Sequence, residues 1–178
     1  MEMVLAGNPG AFETLVKPYR QSLLGLAFRL TGNEEDAKEA VQEALMRAFR
    51  YLRGFDRNQS FRNWLLRILV NASRKHAAKN TPAVGLDEKA AVAEPGAGPA
   101  DQYQRRELRS RLIDCLTVLS AREREVFLLR DLEDRDIKET ALILGCSSVS
   151  VRVHLSAARR KIKDEMMVRY PGLLGADR

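Results

Sequence analysis

Three aromatic residues and three arginines crowd one short stretch of this 178-residue chain: Phe55, Phe61 and Trp64, interleaved with Arg57, Arg62 and Arg67. Aromatic faces stack on unpaired bases while guanidinium groups hold phosphates, a pairing that suits a single strand better than a duplex. Asn58 lies in the turn between Phe55 and Phe61, and Asn71, Arg74, Lys75 and Lys79 continue a polar, basic edge. Asn carries the paired donor and acceptor that a base edge requires. The same spacing also serves packing. Phe61, Trp64, Leu65 and Ile68 share one helical face, so Trp64 fits a core position as well as a stacking one.

A second pattern lies in DIKETALILGCSSVSVRVHLSAARRKIK, beginning at Asp136. Ile137, Ala141, Leu142 and Leu144 mark a first helix that stops at Gly145, the residue suited to a left-handed turn. Ser147 or Ser148 can cap the next helix, whose apolar face is Val151, Leu155, Ala158 and Ile162. Two short helices about a Gly-containing turn form the helix-turn-helix pattern, which places the second helix in a major groove with its early residues nearest the bases. From Ser148 to Lys163 this helix carries Arg152, Arg159, Arg160, Lys161 and Lys163 and no acidic residue.

Catalytic constellations are missing by comparison. There is no Gly-rich phosphate loop, no Ser-His-Asp or Cys-His order and no metal-ligand spacing. The two cysteines, Cys115 and Cys146, and two histidines, His76 and His154, are too few for a disulfide framework or most zinc sites. Cys115 falls among Leu112, Ile113, Leu116 and Leu119 and reads as a buried thiol. No cofactor and no enzymatic activity are expected.

The elements that position these residues are helical. Asn33 can cap a helix whose first turn holds Glu34, Glu35 and Asp36 against the positive helix terminus. Ala37, Val41, Ala44, Leu45, Ala48, Phe49 and Leu52 recur as an expected buried stripe, with Asp36, Glu39, Gln42 and Glu43 on the other face. Those polar residues are either a solvated face or a protein-docking surface. Ser120, with Glu123 three residues on, predicts a capping box.

Charge and punctuation divide the chain in three. Residues 1–79 hold 13 basic and 8 acidic side chains, residues 80–103 hold 1 and 4, and residues 104–178 hold 16 and 12. The middle stretch contains Pro82, Gly85, Pro95, Gly96, Gly98 and Pro99, the composition of a flexible linker. The net charge of +6 and pI near 9.6 suit a polyanionic partner. No apolar run reaches the length of a membrane span, and MEMVLAG is no secretory signal, so a cytoplasmic protein without membrane insertion is expected. The expected fold is all-α: a helical domain over 1–79, an acidic linker over 80–104 and a helix-turn-helix domain over 105–178.

From Ala11 to Lys163 the chain resembles the extracytoplasmic-function (ECF) sigma factors of bacterial RNA polymerase. AFETLVKPYR, EEDAKEAVQEALMRAFRYLRGFD and SFRNWLLRILVN look like sigma region two. LSAREREVFLLRDLED and the following hairpin look like region four. The resemblance implies that Asp36, Glu39, Gln42 and Glu43 dock on the β′ clamp helices of core polymerase, and that region four meets the β flap. It implies that Phe55, Asn58, Phe61, Arg62, Trp64, Asn71, Arg74 and Lys75 face the minus-ten element, where a flipped base is captured. Ser148, Ser150, Arg152, Val153, His154, Ser156, Arg159 and Arg160 would face the minus-thirty-five element. An anti-sigma factor is an expected partner. Leu66, Val153, His154 and Ala157 depart from residues common in the family. The alternative is a helix-turn-helix regulator that binds duplex operator without polymerase.

Overall fold

The computed structural model describes residues 9–77 and 111–171, so the expected linker lies outside the described residues. The chain divides into two compact units, Met1–Gly85 and Leu86–Arg178. The described residues of both are helical, and no strand occurs among them, as an all-α fold requires.

In the first unit, helix α1 (Pro9–Val16) leads through a 3₁₀ turn at Lys17–Tyr19 into α2 (Arg20–Thr31). Gly32 ends α2 at φ 85°, where a side chain would be strained. Asn33 then caps α3 (Glu34–Tyr51), its side-chain oxygen accepting from the Asp36 amide at 2.7 Å. Helix α4 (Phe61–Ala77) follows a turn in which Asp56 Oδ1 accepts from the Asn58 amide. Ser60 Oγ accepts from the Asn63 amide at the start of α4.

The core lies between α2, α3 and α4, with Leu23, Leu26, Leu65, Leu66 and Leu69 fully enclosed. Burying such side chains contributes roughly 1.5–3 kcal/mol each. The stripe α3 gives to this core is narrower than its periodicity suggests. Ala37, Ala40, Ala44 and Ala48 are the buried apolar residues, whereas Val41 and Leu45 are half-buried and Phe49 is 48% exposed. Alanines allow α3 to sit close to its neighbours, and that closeness leaves the larger side chains at the margin. Phe49 makes an edge contact with Phe12 instead, its ring centroid 5.2 Å away.

The described part of the second unit opens with helical residues 111–115 and a 3₁₀ turn at Leu116–Val118. Helix α5 (Ala121–Phe127) carries the Ser120–Glu123 capping box and continues as a π-turn over Leu128–Leu132. Helix α6 (Ile137–Leu144) opens with a second box, Asp136–Glu139, and closes at Gly145 with φ 64°. Ser147 caps α7 (Ser148–Arg169) through the Ser150 amide. The chain bends by 102° between α6 and α7, within the helix-turn-helix range. Val126, Leu128, Leu129, Val151, Leu155 and Ala158 supply the core. Among the described residues no single helix is long and apolar enough to cross a membrane.

Candidate nucleic-acid and docking interfaces

The aromatic residues of the first unit meet as one cluster. Phe55 lies 4.9 Å from Trp64 and 5.6 Å from Phe61, Phe61 lies 5.7 Å from Trp64, and Tyr19 joins Phe61 at 5.9 Å. Phe55 is buried beneath the other rings, while Phe61 and Trp64 are half-buried. Stacking capacity therefore rests with Phe61 and Trp64, and Phe55 supports them. Tyr19, from the 3₁₀ turn before α2, is a member that spacing alone could not place. Asn58 is exposed and Arg62 half-buried at the same end of α4.

Further along α4, exposed Asn71 accepts a hydrogen bond from Arg74 through its Oδ1 at 3.0 Å. Lys75 turns toward α3, where its Nζ donates to both oxygens of Glu43 at 3.2 and 3.3 Å. Buried His76 donates from Nε2 to Glu43 Oε2 at 3.0 Å, and Arg47 pairs with the same carboxylate at 2.6 Å. Burial raises the Glu43 carboxyl pKa, but the hydrogen bonds from His76 and Lys75 and the charge of Arg47 outweigh it and hold it below its ordinary value. Glu43 and Lys75 thus bind each other across two helices. His76 is the part of this network that sequence reasoning missed; only its position two helical turns beyond Ile68 could have suggested an inward ring.

The remaining α3 residues differ in exposure. Glu39 and Gln42 are exposed, and Asp36 is buried at the helix start beside Asn33. Gln42 lines a shallow groove between α2 and α3 with Leu24, Val41, Leu45 and Met46, and with Arg20 and Lys38 at its rim. Met46 is 59% exposed. An apolar strip with a central amide is a surface suited to another protein.

In the second unit, the 3.6-residue period sets Arg152, Val153, Ser156 and Arg160 on the exposed face of α7, opposite the buried Val151, Leu155, Ala158 and Ile162. Ser148, Ser150 and His154 are half-buried at its margins. Arg159 is exposed but grips Asp131 with two hydrogen bonds, at 3.0 and 2.5 Å. That pairing raises its pKa and anchors α7 to the π-turn. Lys161 donates to Glu123 at 2.8 Å. Two of the five basic residues therefore position the helix, and Arg152 and Arg160 make no ion pair among the described residues. Cys115 is fully buried, which raises its thiol pKa, and Cys146 is half-buried in the turn.

A helical unit presenting an aromatic cluster and an apolar groove, followed along the chain by a helix-turn-helix unit, is the architecture of a sigma factor. Residues 15–82 match Sigma-70 region 2, and residues 109–162 match Sigma-70, region 4. The chain belongs to the ECF sigma factors within that family. It is 33% identical to the ECF RNA polymerase sigma factor SigG of Mycobacterium tuberculosis over 86% of its own length, and spans about half the length of that relative, 48%. It is 28% identical to the ECF RNA polymerase sigma factor SigW of Bacillus subtilis, covering 92% of this chain and 95% of the relative. Among solved structures, CnrH in complex with the cytosolic domain of CnrY superposes with a TM-score of 0.71 at 26% identity, covering 94% of this chain and 95% of that one.

Proposed function

We propose that this chain is a dissociable specificity subunit of bacterial RNA polymerase. It docks on core polymerase through α3, opens the minus-ten element with α4 and the preceding turn, and holds the minus-thirty-five element with α7. The observation that carries this reading is the presence of both sigma regions in one chain, with an apolar groove on the first and an exposed basic face on the second. The core polymerase surfaces are the β′ clamp helices for the first region and the β flap for the second. Glu39 and Gln42, with the apolar strip around Met46, supply most of the docking contact; Glu43 and Asp36 shape it from behind.

Unstacking a base costs a few kcal/mol, which stacking on Phe61 or Trp64 and hydrogen bonds from Asn71 offset. Arg152, Ser156 and Arg160 contact the duplex, with Val153 offering an apolar contact to a thymine methyl group. The protein performs no chemistry of its own on this reading and acts in the cytoplasm, where polymerase and chromosome are found. The solved relative CnrH is in complex with the cytosolic domain of CnrY, and an anti-sigma partner is proposed here by analogy.

Operator binding without polymerase is the reading this proposal displaces, because a region 2 unit has no place in it. Gel-shift titration on a genomic promoter pool separates the two. Specific binding that requires core polymerase supports the sigma reading, and equally tight specific binding by the free chain overturns it.

A further inference from the structure

His76 is 5% exposed, and its two ring nitrogens face two different carboxylates. Nε2 donates to Glu43 Oε2, so Nδ1 is the ring nitrogen left to meet a second partner. Nδ1 is buried and makes no hydrogen bond, yet it lies 3.3 Å from Glu39 Oε2. A cation shared between them, a proton or a metal ion, satisfies both groups. Asp36 is the third member: its carboxylate, Glu39 and His76 Nδ1 bring ligand atoms within 4.8 Å of one another.

The geometry points to a binding site for a divalent transition ion of the zinc class, held by Asp36, Glu39 and His76 Nδ1. One imidazole nitrogen with two carboxylate oxygens is a donor set that suits such ions. Zinc bonds of about 2.0–2.2 Å place tetrahedral ligands about 3.4 Å apart. The histidine–Glu39 spacing already meets this, and the exposed Glu39 side chain can close the rest. Asp36 and Glu39 stand three residues apart on α3, one turn of the same face. Asp36 also accepts from the Asn33 side-chain amide, and a carboxylate has enough lone pairs to do that and bind a metal. Glu43 completes a carboxylate–histidine–metal arrangement, the outer-sphere bond that orients a ligating ring and raises its basicity. The ion fastens the start of α3 to the end of α4. About forty residues, the intervening turn among them, separate His76 from the two carboxylates, so no local spacing motif betrays the set.

The test needs neither polymerase nor DNA, so it stands or falls apart from the promoter reading. The full chain is titrated with zinc chloride by calorimetry, and unfolding of the first unit is followed through Trp64, the sole tryptophan. One equivalent bound, with an unfolding midpoint raised by several degrees, is the expected result. Glu39→Gln and His76→Gln should each weaken binding by at least roughly tenfold, and Glu43→Gln by about 10–100-fold as an outer-sphere change. Should His76→Gln fail to fold, Glu39→Gln decides, because that side chain is 57% exposed. No binding overturns the assignment, and so does binding that survives Glu39→Gln, which would place the metal elsewhere, for example at Cys146.

Discussion

Glu43 on α3 accepts a hydrogen bond from His76 on α4 at 3.0 Å, and the same carboxylate takes the Lys75 ammonium. This contact joins the helix proposed to dock on polymerase to the helix proposed to open DNA. The exposed lysine and Arg47 add little to stability, because exposed ion pairs are worth about 0–1 kcal/mol. The bond from buried His76 carries the larger share. Glu43→Gln is expected to destabilise the first unit by about 1–2 kcal/mol, read as a lower urea midpoint in Trp64 fluorescence. An unchanged midpoint would reduce the network to surface decoration.

Ala44 is fully buried in the alanine stripe that lets α3 approach α2 and α4. Ala44→Leu inserts a side chain where no space exists, and overpacking of this kind costs about 1–3 kcal/mol. Val41→Leu, at a half-buried position, should cost less. Denaturant titration of both variants checks the order, and a more stable Ala44→Leu protein would contradict the close packing.

Arg152 and Arg159 stand on the same helix with different tasks. Arg152→Ala is expected to weaken promoter binding and to reduce the salt slope by about one phosphate contact. Asp131→Ala removes the partner of Arg159 without touching DNA; it should lower stability by up to about 1 kcal/mol and leave the salt slope no shallower. Fluorescence anisotropy across a salt series distinguishes the two, and identical slopes for wild type and Arg152→Ala would remove that residue from the interface.

Asn71 points outward from α4 next to Arg74. Asn71→Ala should slow open-complex formation while leaving initial polymerase association near normal, as permanganate footprinting and filter binding would show. Equal loss in both steps would remove its base-reading role.

Glu123 gives a pH dependence. The hydrogen bond from Lys161 lowers its pKa, against burial that raises it, with further help from the Ser120 amide and hydroxyl. A carboxyl whose folded pKa lies below its unfolded value stabilises the protein above the unfolded value, near 4.3. That stability is lost as pH falls through the folded value. Glu123→Gln keeps the capping box but removes the charge, so its region 4 stability should fall less steeply than wild type below about pH 4.5. Urea unfolding followed by region 4 amide signals checks this, and parallel curves would contradict it.

Helix ends were the most legible part of the sequence, because Asn33, Ser120 and Gly145 act through bonds to their nearest neighbours. The all-α class followed from the same local signals. Burial within α3 was less legible: Phe49 and Ala40 differ in hydrophobicity in the opposite sense to their burial, and only the approach of α2 and α4 decides which faces inward. The candidate interfaces divide along the same line. Exposed Arg152 and Asn71 could be read from a helical period, whereas pairings such as Arg159 with Asp131 or Glu43 with His76 join residues 28 and 33 positions apart, and no periodicity encodes them.

The central claim is that this chain supplies promoter recognition to a polymerase that lacks it. Run-off transcription with purified core polymerase on a genomic promoter library tests it most directly. The account predicts discrete transcripts only when the chain is added, diminished by Arg152→Ala and by Asn71→Ala. Transcript patterns indistinguishable with and without the chain would contradict it.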